Sequence, residues 1–258
     1  MAFARAARPN RHPGQARRED STTGGAPSPR ADSVNGSTVS IGRPPWWLLT
    51  VALLVALGGT LELLVGDGLE QVDTRLGDVI GSWGLRDSPA YPTLWLLTQL
   101  GGRVTILLVL GGLVTYLAWR HRTLLPLARV LIALALLTAV VYGLKYGTGR
   151  TAPSYPGSYF YRGGESFPSG HVANAVLMWG VARWQAVEFG LSPPVQRTFA
   201  VLAVAGPVAT GAAMLSLNFH WLTDALIGGA IGLLLLRLVH SLDSAVLCRL
   251  SASRVHRQ

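Results

Sequence analysis

The stretch "GGESFPSGHVANAVL", residues 163–177, sets a proline, a hydroxyl, a glycine and an imidazole just ahead of an apolar run. It reads as the start of a helix, with Pro168 suited to the first turn, where a missing N–H costs nothing. Free backbone N–H groups and the helix dipole make such a terminus a ready anion site. Gly170 lets the backbone approach an anion closely, and the Ser169 hydroxyl can donate to an oxyanion. His171 could give a proton to a leaving oxygen. The same four letters also fit an ordinary helix start with an interfacial histidine, so the rest of the chain has to decide.

The apolar run belongs to a series. Half of the 258 residues are hydrophobic and only 14% are charged, far from the balance of a soluble domain. Six apolar segments near the length that crosses a bilayer core of roughly 30 Å follow one another. They lie at about 46–64, within 93–119, and at about 124–144, 168–187, 198–217 and 221–242. The expectation is an all-α polytopic membrane protein, a bundle of six transmembrane helices over residues 45–244. Residues 1–44, rich in Arg, Pro, Ser, Gly and Ala, lack hydrophobic periodicity and read as a disordered cytoplasmic tail. Residues 245–258 read as a short basic tail. The single cysteine, Cys248, excludes an internal disulfide and a cysteine-rich metal site.

The formal charge of +9 comes from 21 arginines and one lysine against 13 acids. No nucleic-acid-binding module is visible, and the arginines sit in the N-terminal tail, short loops and the C-terminus. That distribution reads as membrane topology. The loops holding Arg120, Arg122 and Arg129, and Arg183 and Arg197, fall on the side of both termini, which the positive-inside rule makes cytoplasmic. The opposite side receives "GDGLEQVDTRLGD", residues 66–78, the loop 145–167, the PSGH cluster and the turn at His220. Segments distant in sequence thus converge on one outer face.

Two of these segments carry further chemistry. In "NFHWLTDALIGG", residues 218–229, His220 and Asp224 are four apart and share a face if both lie on the helix. An aspartate accepting from one imidazole nitrogen leaves the other free to attack, although such pairs also serve as polar glue between helices. An aspartate in a membrane helix turn is costly without a partner, which favours a functional role. In "LKYGTGRTAP", residues 144–153, Lys145 and Arg150 flank a glycine-broken turn. Interfacial cations commonly snorkel, but Lys145 is the lone lysine of an arginine-dominated chain.

Taken in order, Lys-x4-Arg, Pro-Ser-Gly-His and His-x3-Asp resemble the type 2 phosphatidic acid phosphatase family, the lipid phosphatase branch related to vanadium haloperoxidases. The resemblance covers roughly residues 46–242. It implies metal-independent, cofactor-free hydrolysis of a lipid-linked phosphate or diphosphate at the extracytoplasmic face of a cell membrane. His220 would be the nucleophile, forming a phosphohistidine, with Asp224 orienting it. His171 would protonate the leaving oxygen and then activate water. Lys145, Ser169 and the Gly170 N–H would hold the phosphoryl oxygens. The expected partners are the lipid phosphate substrate and membrane lipids, with no nucleic acid. The Arg- and Ala-rich composition suggests a GC-rich bacterial genome.

The chain departs from the family pattern where two phosphate-binding arginines are usual. Ala152 precedes Pro153 in the first motif, and Ala213 and Met214 stand where the third motif begins Ser-Arg. Arg150 is the first candidate to replace the missing charge, then Arg162, then Arg103. The alternative is a catalytically impaired relative that binds or transports a lipid phosphate.

Overall fold

The computed structural model describes residues 44–155 and 158–255, with side chains to residue 245. The expected disordered tail at 1–44, apart from its last residue, lies outside the described residues. Among them all regular structure is helical: α1 (Trp46–Val65), α2 (Gly68–Ser82), α3 (Tyr91–Thr98), α4 (Arg103–His121), α5 (Leu125–Thr148), α6 (Gly170–Glu188), α7 (Pro193–Ser216) and α8 (Leu222–Val255), with a 3₁₀ turn at Leu85–Asp87. Among the described residues five helices are long and apolar enough to cross a membrane: α1, α4, α5, α7 and the Leu222–Ala245 part of α8. The chain is a multi-pass, all-helical membrane protein.

Helix α6 is not among the five, and its place in the bundle explains why. It packs against α4, α5, α7 and α8, so residues such as Asn174, Trp179 and Gln185 are buried by protein rather than bathed in lipid. A helix enclosed by its neighbours need not be lipid-like along its length. By contrast α1 turns Leu53, Leu54, Leu57 and Leu61 outward, as a helix facing hydrocarbon must.

Close approach of α6 and α8 rests on glycine. A Cβ at Gly228 would lie 2.5 Å from the Ser169 carbonyl oxygen, and one at Gly232 would lie 2.7 Å from that of Ala173. This is the small-xxx-small contact that lets membrane helices pack backbone to backbone.

The second apolar segment is not one helix. The chain leaves α3 at Thr98 and resumes in α4 at Arg103. Freed carbonyls in the break find donors on α6: Asn174 Nδ2 donates to Gly101 O at 2.9 Å, and Trp179 Nε1 to Leu100 O at 2.8 Å. A break at membrane depth is tolerable where protein satisfies the backbone. Pro168 also differs from expectation. Ser169 is the N-cap of α6 and Gly170 its first residue, so the proline stands outside the first turn.

The chain direction sends the C-terminal ends of α5 and α7 and the N-terminal ends of α4, α6 and α8 to one end of the bundle. Every predicted site residue lies there.

Candidate active site

His220 lies in the turn two residues before α8, with Trp221 between, so the expected helical pairing with Asp224 is replaced by a cap. Asp224, in the first turn, accepts the Trp221 backbone N–H at 3.1 Å, the reach-back half of a capping box. That contact bends the turn so that His220 Nδ1 faces Asp224 Oδ2 at 3.5 Å. Ser166 Oγ donates to the same oxygen and lies 3.4 Å from Nδ1. With Nδ1 turned toward the carboxylate, Nε2 is the nitrogen left for chemistry.

Asp224 is wholly buried, and burying a carboxylate is costly unless it is paired. Arg150, also wholly buried, supplies the charge: Nη1 donates to Asp224 Oδ1 at 2.7 Å and to Thr223 Oγ1 at 2.8 Å. Its other N–H groups are engaged as well. Nη2 donates to Asp73 Oδ2 at 2.7 Å and Ser158 Oγ at 2.9 Å, and Nε to Ser158 Oγ at 3.1 Å. The guanidinium also sits over the rings of Phe160 (5.2 Å) and Trp221 (5.5 Å). All five N–H donors therefore point at protein acceptors. This corrects the expectation of Arg150 as a phosphate ligand: it neutralises the two buried aspartates.

Asp73, on α2, is the residue that sequence reasoning missed. It accepts the Thr223 backbone N–H at 3.1 Å and the Thr223 hydroxyl, so it caps α8 from another helix. The only sequence signal was an excess of acids in residues 66–78.

Lys145, Gly170, His171 and His220 line one cavity of about 320 Å³, whose walls also include Arg103 and Asn174. Lys145 Nζ donates to the Glu165 carbonyl. The strap leading into α6 is tied to the end of α5 by backbone bonds, from Tyr161 N to Thr148 O at 2.7 Å and from Ser166 N to Arg150 O at 3.0 Å. Gly164 is required in this strap, since a Cβ there would collide with the Arg150 carbonyl. Ser169 donates its N–H to Asp224 O at 3.0 Å, which joins the α6 terminus to the α8 turn. The Ser169 hydroxyl is buried without a hydrogen-bond partner. Among the described residues no cluster of three or more His, Cys, Asp or Glu could hold a metal ion.

The two departures from the family pattern also have places. Ala213 and Met214 are buried. Ala152 lines a neighbouring cavity with Arg162, Glu165 and His220, so Arg162 shares a cavity with His220 but not the one that Lys145 lines.

No curated protein matches the chain. Its fold is similar to the crystal structure of a transmembrane PAP2 type phosphatidylglycerolphosphate phosphatase from Bacillus subtilis, with a TM-score of 0.59 and 20% identity over 78% of this chain and 96% of that one. The PAP2 superfamily family model matches residues 126–246, the stretch that holds Lys145, both histidines and Asp224. Over that stretch, a little under half of its length, the chain is similar to the PAP2 superfamily.

Proposed function

We propose that this protein is an integral membrane phosphatase that hydrolyses a lipid-linked phosphate or diphosphate at the extracytoplasmic face, through a phosphohistidine. The observation that carries this reading is the shared cavity of Lys145, the α6 terminus, His171 and His220, backed by a buried carboxylate on His220 Nδ1. His220 Nε2 attacks phosphorus, and the bond to the lipid oxygen breaks. His171 delivers its proton to that oxygen, and Asp224 stabilises the imidazolium that forms. Lys145, the Ser169 hydroxyl and the Gly170 N–H hold the phosphoryl oxygens at the helix N-terminus. Water, deprotonated by His171, then attacks the phosphohistidine, releasing phosphate and restoring His220. Arg150 acts one step back, fixing Asp224.

Candidate substrates are polyprenyl diphosphate or phosphate, phosphatidic acid and lipid-linked sugar phosphates. The similar Bacillus phosphatase adds phosphatidylglycerolphosphate to these candidates. We read α6 as the sixth span beside α1, α4, α5, α7 and α8. Its 19 residues reach about 28 Å. Both termini are then cytoplasmic, in agreement with exposed Arg120, Arg122, Arg183 and Arg197 at the end remote from the site.

Purified protein should release phosphate from polyprenyl diphosphate or phosphatidic acid, and form an acid-labile, alkali-stable phosphoenzyme. His220→Ala should lose both. Equal turnover by the variant and the native protein would sink the proposal.

A further inference from the structure

Helix α4 begins in an unusual way. Its N-cap is Gly102, which offers no side chain, and its first turn holds no acid, so its leading N–H groups have no side-chain cap. Its first residue is Arg103. A cation there opposes the helix dipole, which favours negative charge at an N-terminus. Arg103 is exposed and pairs with no carboxylate in the described residues. Its guanidinium lies 5.4 Å from the centroid of the Tyr142 ring. Both residues line the cavity of Lys145, His171 and His220.

A second observation points to the same place. Asn174 lines this cavity and is only 4% exposed. Its Nδ2 holds Gly101 O, the carbonyl just before the N-cap of α4. A Cβ at Gly101 would collide with the His171 carbonyl, so the α4 terminus is held directly against the α6 terminus. Two helix N-termini, one with Lys145 and one with Arg103, thus open on a single chamber. Broken membrane helices present anion sites in this way, the half-helix N-terminus aimed at negative charge.

We propose that Arg103 and the N-terminus of α4 form a second anion subsite, which holds the non-reacting phosphate of a lipid diphosphate. The inference rests on the phosphatase reading above and names the substrate class of that site. The terminal phosphate lies against His220. The phosphate joined to the lipid lies at Arg103, with the chain leaving past Leu137 and Val141, the apolar part of the same cavity. When His220 Nε2 bonds to the terminal phosphorus, the anhydride P–O bond breaks and its electron pair goes to the inner phosphate. Arg103 offsets that growing charge while His171 supplies the proton. A lipid monophosphate leaves as an alcohol and gains nothing from Arg103.

The test compares native protein with Arg103→Gln and Arg103→Lys in two assays. In turnover, Arg103→Gln should lower kcat/KM on a polyprenyl diphosphate by about 10- to 100-fold, the loss of one charge-assisted contact, and stay within about twofold on the matching monophosphate. Arg103→Lys should restore part of the loss. In calorimetry, native protein should bind a non-cleavable alkyl methylene-bisphosphonate at least about tenfold tighter than the alkyl monophosphonate, and Arg103→Gln should bind both alike. A native protein without that preference, a preference that survives in Arg103→Gln, or an equal loss on both substrates would overturn the subsite. Native protein that hydrolyses neither substrate defeats the phosphatase reading alone, and the calorimetric comparison still decides the subsite.

Discussion

Arg150 shows how a residue can be legible by position and not by role. The sequence places it beside the site, and it is there. The direction its guanidinium takes depends on Asp73, 77 residues earlier, and no local spacing links the two. Its role follows from charge: Asp73 and Asp224 are buried, and one guanidinium answers both. Arg150→Ala should therefore cost about 3–5 kcal/mol of stability, the typical result of leaving a buried charge unpaired. The measurement is a lowered unfolding midpoint in detergent micelles. Arg150→Lys should recover little, because one ammonium cannot reproduce a five-donor planar fork. A phosphate ligand would behave otherwise, with unchanged unfolding and a raised KM. His220 and Asp224 were legible as a pair for a different reason, since both sides of that contact lie within five residues and one turn sets its geometry.

Among elements, the apolar spans were readable because length and hydropathy are local. The break between α3 and α4 was not. Gly101-Gly102 interrupts a helix, yet Gly111-Gly112 and Gly228-Gly229 lie inside helices, so the dipeptide alone decides nothing. What decides is whether another element satisfies the freed carbonyls, as Asn174 and Trp179 do. The adjacent glycines of α8 give a test of how far packing controls the site. Gly228 backs directly on the Ser169 carbonyl, whereas a Cβ at Gly229 would meet Val172 Cγ1 at an ordinary 3.6 Å. Gly228→Ala must push the α6 terminus away from the α8 turn. Such a displacement of order 1 Å costs up to about 100-fold in rate. Gly229→Ala should keep native turnover, which makes it the control in a phosphate-release assay. Gly232→Val should instead appear as about 1–3 kcal/mol lost to overpacking between α6 and α8.

For the whole molecule, the two ends of the bundle use charge differently. At the site end, buried acids meet one arginine beneath a cation-lined cavity. At the far end Arg129, 2% exposed, pairs with Glu188 and Asp243 at 2.8 Å each and lies 4.1 Å from the centroid of the Trp184 ring. It ties α5, α6 and α8 together and is not a free loop charge, so the orientation reading loses one of its arginines. Arg129→Met should lower the unfolding midpoint and leave KM unaltered, since no part of this cluster lines the cavity of Lys145, His171 and His220. The exposed arginines on either side of α6 give a test of orientation. Arg162 lies in the strap before that helix and Arg197 in α7 after it. If α6 crosses the bilayer they face opposite compartments, and charge bias puts Arg197 in the cytoplasm. With Cys248→Ser removing the native thiol, Arg162→Cys should react with a membrane-impermeant maleimide on intact cells. Arg197→Cys should react only after permeabilisation. Labelling of both from one side would mean that α6 does not span, and reversed labelling would put the histidines on the cytoplasmic face.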